Sequence, residues 1–338
     1  MSFVAFKLAM NTDEAHAPQY NYIGVDLSKK TLDVWKGGRH RSYPNTDKGV
    51  ATFIRECSRG KQTPLVAYES TGCVSLYFSE QLDAAGVKRK VLVPGRVRHF
   101  AKSIGKEAKT DKIDSEVITR YAVANAVQPD TPMEEYEVAL RQRVRARRQL
   151  TKQRTALKIA LTSMRDKESI ERISGIAAHL EREEKEMVAE IDAFIRSHEM
   201  LARLYELMLT EEGVGPRTAQ VLLAYLPELG KLDRQEVASL VGVAPYNHDS
   251  GGRIGKRFTR YGRSAVRESY FMVVQAMLRV KEGVVRQRYD AFRKKGKPYK
   301  VAMIACARWL LCRLNAKVRS WIAQGRPPLE QYVPYHAA

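Results

Sequence analysis

The sequence predicts an α/β N-terminal domain with a mixed sheet, a helical middle segment and a mainly α C-terminal domain. Three observations carry this expectation. Between Tyr22 and Ala126, short apolar runs first follow one another directly and then alternate with helix-patterned stretches. Hairpins followed by strand–helix alternation build a sheet that is antiparallel in one half and parallel in the other. From Glu134 to about Leu207 apolar residues recur only at helical spacing. Beyond that, helical patterns punctuated by glycine and proline fill the rest of the chain.

The elements follow in order. Residues 1–20 read as a loose leader carrying Asp13 and Glu14, with neither the apolar core nor the small-residue cleavage site of a signal peptide. Tyr22 to Leu27 is a buried strand, Thr31 to Trp35 its hairpin partner, and His40 to Tyr43 a third strand. Asn45-Thr46-Asp47 caps a helix with Val50, Phe53 and Ile54 on one face. Pro64 to Glu69 is a strand, Leu76 to Ala85 a helix, Lys90 to Pro94 a strand, and Val97 to Ile104 and Asp111 to Ala126 are helices. The expected domains are 21–127 (α/β), 128–204 (helical) and 205–338 (C-terminal). In the last, helices are expected at Tyr205 to Leu226 around a Gly213-Val214-Gly215 turn, Gln235 to Val241, Ser264 to Arg279 and Tyr299 to Gln324.

The chain has 338 residues, 44% of them hydrophobic, and a formal net charge of +20. That composition supports packed cores, and the charge attracts polyanions. Nucleic acid is the first candidate partner. A membrane is excluded as a partner because no apolar run approaches the roughly 18 residues a span needs. The four cysteines, Cys57, Cys73, Cys306 and Cys312, form no C-x-x-C pair, which suits a reducing cytoplasm. Arg141, Arg143, Arg145, Arg147, Arg148, Lys152, Arg154 and Lys158 crowd one helical stretch with few acids to pair them. Phosphate contact is favoured there over a merely solvated face. Leu180, Met187, Ile191 and Phe194 are spaced like a coiled-coil seam, open between an intersubunit contact and a hairpin packing on itself.

Against this basic background four acids stand out. Asp26 and Glu69 each end an apolar strand, and Asp111 and Asp114 sit three apart at the start of a helix, so both face one way. Singly each has an ordinary reading: a turn residue, a helix cap, a charge meeting the helix dipole. Together they form a set that would repel itself unless cations neutralise it. Oxygen ligands of this kind suit Mg2+, with Mn2+ as an alternative. The Gly213-Val214-Gly215 turn followed by Arg217 looks like a helix–hairpin–helix, whose amides can approach a phosphate. Ser250 lies between Asp249 and Gly251-Gly252, followed by Arg253, Lys256, Arg257, Arg260 and Arg263. This is a candidate nucleophile beside phosphate-binding cations, although from the chemistry alone a polar surface loop is the favoured reading. Tyr246, Tyr261 and Ser264 are rival nucleophiles.

Tyr22-Ile23-Gly24-Val25-Asp26-Leu27-Ser28-Lys29, Tyr68-Glu69-Ser70-Thr71-Gly72 and Lys109-Thr110-Asp111-Lys112-Ile113-Asp114-Ser115 resemble the acid-bearing motifs of the DEDD-type transposases of insertion sequences, relatives of the Piv and MooV site-specific invertases. Glu212 to Leu226, and Val241-Gly242-Val243-Ala244-Pro245 through Asp249-Ser250-Gly251, resemble that family's C-terminal domain and its serine segment. The sequence departs from the family at Cys73-Val74 and at Asp249. The resemblance implies a RuvC-like RNase H fold whose metal ligands are Asp26, Glu69, Asp111 and Asp114. It implies Ser250 as the residue attacking DNA, donor and target DNA as substrates, and a guide RNA from the element's own ends. Joining two DNA ends needs more than one active site, so a homo-dimer pairing into a tetramer on DNA is expected, with the segment around Leu180 to Phe194 as its contact, and the expected location is the bacterial cytoplasm, at the nucleoid. A site composite between protomers is favoured. The competing readings are a RuvC-like junction resolvase acting without a covalent intermediate, and a nucleic-acid-binding protein with a dead nuclease fold.

Overall fold

Alternating apolar residues in the first strands have two faces to bury, and the computed structural model shows what covers each. It describes residues 20–60, 62–70, 73–106, 111–246, 255, 257–259 and 262–333, the side chains of 73, 111 and 112 excepted. Its contacts divide into two units, 1–133 and 134–338.

In the first unit, β1 (Asn21–Leu27) pairs antiparallel with β2 (Thr31–Lys36), which pairs antiparallel with β3 (Arg39–Pro44). On the other side β1 runs parallel to β4 (Pro64–Glu69), and β4 to β5 (Lys88–Leu92). The order is β3-β2-β1-β4-β5. Ile23, Val25, Leu27, Val66 and Tyr68 face α1 (Asp47–Cys57) and α2 (Cys73–Ala84), packing with Phe53, Phe78 and Leu82. Tyr22, Leu65 and Ala67 face the other way, toward α3 (Pro94–Ser103) and α4 (Asp111–Ala124), packing with Val97, Val117, Ile118 and Ala122. The sheet is thus sandwiched between helices on both faces, and its central strands carry apolar residues in both directions. Thr46 caps α1 as expected, its hydroxyl accepting from the Gly49 amide at 3.3 Å. The fifth strand ends at Leu92 instead of Pro94. Pro94 is the first residue of α3, where its missing N–H costs nothing.

The second unit is all helical in its named elements. The long helices α5 (Glu135–Leu161) and α6 (Lys167–Arg196) form an antiparallel hairpin, joined across by Arg154 to Glu181 at 3.1 Å and Lys158 to Glu181 at 3.1 Å. Of the coiled-coil-like seam, Ile191 is buried and Phe194 packs on the chain's own core, with the Arg143 guanidinium 4.3 Å from its ring centroid. These two residues follow the hairpin alternative. Leu140, Val144, Ile191 and Ile195 share one core with α7 (Glu199–Leu209), α8 (Pro216–Tyr225), α9 (Arg234–Val241) and α10 (Ser264–Met277). At its centre lies α12 (Tyr299–Ala323), buried at Met303, Cys306, Leu310, Leu314 and Val318. Helix α11 (Val284–Lys294) lies between the helices expected at Ser264 to Arg279 and Tyr299 to Gln324 and was not itself expected from the sequence. Its apolar residues are few, and only Val285 is fully buried. No helix among the described residues is long and apolar enough to cross a membrane.

Candidate active site and nucleic-acid interface

The acids of the first unit are placed by three pieces of backbone. Val25 and Tyr68 are register partners on the parallel strands β1 and β4. Asp26 and Glu69, one step further on, are therefore neighbours at the carboxyl ends of adjacent strands. Side chains alternate along a strand, so both point to the α3/α4 face, opposite the Val25 and Tyr68 face. Both are partly exposed.

Helix α4 is fixed over this face by close contact at Gly24. The Gly24 amide donates to Thr119 Oγ1 at 2.8 Å, and Thr119 Oγ1 donates to its own helix at Ser115 O, 3.0 Å away. A Cβ at Gly24 would stand 2.6 Å from the Thr119 amide nitrogen and closer still to Ser115 O and Thr119 Oγ1. Only glycine lets helix and strand meet this closely. Past the far end of α4, Tyr22 Oη donates to Val127 O at 3.4 Å. The helix thus runs opposite to β1, and its first turn overlies the end of the strand that carries Asp26. Asp114 comes from that turn and is partly buried; the Asp111 side chain lies outside the described residues.

Every group in this set is a carboxylate, the donor chemistry that Mg2+ and Mn2+ take. Among the described residues, however, no three His, Cys, Asp or Glu side chains are grouped closely enough to hold a metal ion. A further acid, unforeseen in the sequence reading, sits beside Asp26. Asp33 on β2 is its cross-strand partner, is 7% exposed, and is held by His40 Nε2 at 3.1 Å. The alternation of Leu32 and Val34 about it was the available signal, since an acid on a covered strand face needs a partner.

In the second unit the frame around the serine segment is well defined, although Ser250, Arg253 and Lys256 lie outside the described residues. Tyr246 and Phe258 form an isolated antiparallel bridge, with the Tyr246 amide donating to Phe258 O at 3.0 Å. The two ends of the excursion through Ser250 therefore start and finish side by side. Tyr246 Oη is 2.9 Å from Ser239 Oγ on α9. Gly262, at φ +82°, packs backbone to backbone against Gly242, where a Cβ would be 2.6 Å from Gly242 Cα. Arg263 then clamps the return. Its amide donates to Leu240 O at 3.0 Å, and its guanidinium grips Glu228 with two hydrogen bonds and Tyr225 O at 2.9 Å. Burial would raise the Glu228 pKa, but Arg263 holds the carboxyl below its usual range.

The basic residues divide into two groups. Arg143, Arg145 and Lys152 are exposed on α5. Arg148 is half-exposed and pairs with Glu268 at 2.7 Å. Arg147 is 3% exposed and donates to Arg217 O at 3.2 Å. Burial, and then the nearby Arg217, push its pKa down to about 10. Its neighbours on the helix face solvent, but Arg147 points inward, because the sequence stretch wraps all round α5. Arg217, in the first turn of α8, is half-exposed and bound to the buried Glu184 at 3.1 Å, a carboxylate shared with Arg154 at 3.2 Å. Glu184 was also missed: within the acidic run of α6 nothing in the sequence marks which glutamate turns inward.

Residues 23–167 match a family described as Transposase, of the DEDD group, and residues 205–290 match the Transposase IS116/IS110/IS902 family. Two curated relatives, each named pilin gene-inverting protein, come from Moraxella lacunata and Moraxella bovis. Each is 28% identical over 331 residues, covering 90% of this chain and 97% of the relative.

Proposed function

We infer that the chain, which matches transposase families over residues 23–167 and 205–290, is a transposase of the IS116/IS110/IS902 family and an enzyme acting on DNA. On that premise we propose that it cuts and rejoins the DNA of an insertion sequence, with Asp26, Glu69, Asp111 and Asp114 as its metal-binding acids and Ser250 as its nucleophile. The observation that carries this reading is the convergence at one end of the sheet. Asp26 and Glu69 end neighbouring parallel strands on one face, and the Gly24 contact sets the first turn of α4 above them. The strand order and the change from antiparallel to parallel pairing support a RuvC-like RNase H reading of the first unit.

Divalent cations, Mg2+ in the first place, would be held by the four carboxylates and would stabilise charge on the phosphoryl oxygens. The protein's own part is to position. The strand ends and α4 hold acids that would otherwise repel one another apart. The Tyr246–Phe258 bridge and the Arg263–Glu228 clamp hold the base of the serine segment. Attack of the Ser250 hydroxyl oxygen on a DNA phosphorus, with loss of one ester oxygen as the free strand end, stores the phosphodiester bond in a serine–DNA link until rejoining. The exposed cations Arg143, Arg145 and Lys152, with Arg148, Arg217, Arg253 and Lys256, are proposed to contact phosphate. Arg147 is left out because it is buried.

The partners in this reading are donor and target DNA, a guide RNA from the element's ends, and further copies of the chain, since rejoining two ends takes more than one active site. The place of action is the bacterial cytoplasm, at the nucleoid. The three sequence segments 21–127, 128–204 and 205–338 are retained as functional divisions. As in the relatives named for gene inversion, recombination of specific sites is the expected outcome.

A labelled, nicked suicide substrate run on a denaturing gel tests the serine. Wild type should leave a protein–DNA adduct that maps to Ser250, and Ser250→Ala should leave none. An adduct surviving in Ser250→Ala, or mapping to Tyr246 or Tyr261, would refute the serine mechanism and favour the resolvase-like alternative.

A further inference from the structure

Far along the chain from the acids and the serine segment, the turn between α11 and α12 concentrates charge. Residues 293–301 are all exposed, and among them are Arg293, Lys294, Lys295, Lys297 and Lys300 with no acid. The nearest acid in sequence, Asp290, is taken by Arg286 at 2.8 Å. Among the described residues, none of these lysines has a carboxylate within ion-pairing distance.

The turn is well ordered by its own hydrogen bonds. The Lys295 amide donates to Ala291 O at 3.2 Å, Gly296 to Arg293 O at 2.9 Å and Lys297 to Phe292 O at 3.1 Å, closing the end of α11. Arg293 Nη1 donates to Lys297 O at 2.7 Å, bracing the turn from outside. The Tyr289 and Tyr299 rings meet edge to face, 6.2 Å apart, and tie the start of α12 back to α11. The cations are therefore carried on a fixed scaffold.

Their placement is also costly for the isolated fold. Lys294 near the end of α11 suits the helix dipole, but Lys300 lies in the first turn of α12, which contains no acid. A cation there opposes the positive end of the dipole. Four lysines so close together also repel one another. Packing does not require any of them, since all are exposed. An external polyanion would relieve both penalties.

We propose that this turn is a second nucleic-acid contact, gripping the phosphate backbone of duplex DNA. Duplex DNA is chosen because DNA is the polyanion on which the chain's family acts. The proposal rests on that reading, and not on the acids or Ser250. Lysine ammonium groups are flexible point charges, so the contact adds affinity and register without reading base sequence. The family match in this half ends at residue 290, before the turn begins.

The test replaces Lys294, Lys295, Lys297 and Lys300 together by Gln in the full chain, and in a second variant by Arg. Binding to a duplex of fixed sequence and to an RNA hairpin is measured across a range of salt, with helicity followed by circular dichroism. The slope of log affinity against log salt on duplex should fall by about 3–4 in the Gln variant and stay at the wild-type value in the Arg variant. The Arg variant, which keeps the charge, separates lost contact from lost fold. An unchanged slope in the Gln variant would overturn the proposal and leave the family reading standing. A slope that falls only on RNA would overturn it as well, by assigning the turn to RNA. A wild type that does not bind duplex at all would overturn this proposal and the DNA reading together.

Discussion

The contact at Gly24 makes a sharp prediction, because it ties a backbone packing detail to catalysis. Gly24→Ala adds a Cβ that would lie 2.6 Å from the Thr119 amide nitrogen, whereas real Cβ contacts do not fall below 3.0 Å. Helix α4 must therefore retreat by more than 0.4 Å, the difference between those two distances, and further to clear Ser115 O and Thr119 Oγ1. Neither neighbour is the free end of a long side chain, so the helix backbone has to give. Overpacking of this kind costs about 1–3 kcal/mol. Stretching the Gly24 amide bond to Thr119 adds roughly 0.5–1.5 kcal/mol. The catalytic effect should exceed the loss of stability, since α4 carries Asp111 and Asp114 and misplacement by about 1 Å costs on the order of 100-fold in rate. The assay is strand cleavage of a labelled substrate, at a temperature where thermal melts show the variant folded. Cleavage should fall by roughly 10- to 100-fold with DNA affinity retained. Wild-type melting together with wild-type cleavage would show that α4 does not set the acid geometry.

Two further outcomes follow from the second unit, and a third from the need to rejoin two DNA ends. Glu228 has a folded-state pKa below its ordinary 4.5 because Arg263 outweighs burial; its stabilisation is present above that value and is lost as pH falls through the lower folded-state pKa. Glu228→Gln should therefore flatten the fall in melting temperature as pH drops below the ordinary carboxylate value of 4.5, and parallel curves for variant and wild type would refute the pairing. Replacing Arg143, Arg145 and Lys152 by Gln should lower the salt slope of duplex binding by up to about 3, while Arg147→Met should leave it unchanged; a loss with Arg147→Met equal to that of the triple variant would put Arg147 on the binding face. Light scattering should show a dimer that pairs into a tetramer on DNA, and a monomer in both states would exclude the proposed assembly.

The N-terminal unit was legible in the sequence nearly element by element. Its strands β1 and β4 are short apolar runs bounded by turn residues, and Thr46 marks the start of α1 as an N-cap. The shift at Pro94 arose because an apolar run into proline reads as a strand end, while proline serves as well as a helix start. Helix α11 was hidden because its face is basic and Val285 alone is fully buried, which leaves little periodicity to detect. In the site, Asp26 and Glu69 were legible as acids ending strands. Which face they occupy needed the register of β1 with β4 and the covering of Ile23 and Val25 by α1 and α2. Arg147 shows the limit of charge counting. A run of arginines on a helix is continuous in sequence but turns about 100° per residue, so one member points into the core while its neighbours meet solvent. Asp33 and Glu184 were missed for the complementary reason: their partners, His40 and the pair Arg154 and Arg217, are fixed by tertiary structure.

The central claim is that the four acids form the cutting centre, and parallel cleavage and binding measurements on single alanine variants test it most directly. Asp26→Ala, Glu69→Ala, Asp111→Ala and Asp114→Ala should each abolish strand cleavage in Mg2+ while binding DNA close to the wild-type affinity, because the stabilisation they provide is needed at the transition state and not for binding. Wild-type cleavage by any one of the four variants would contradict the assignment.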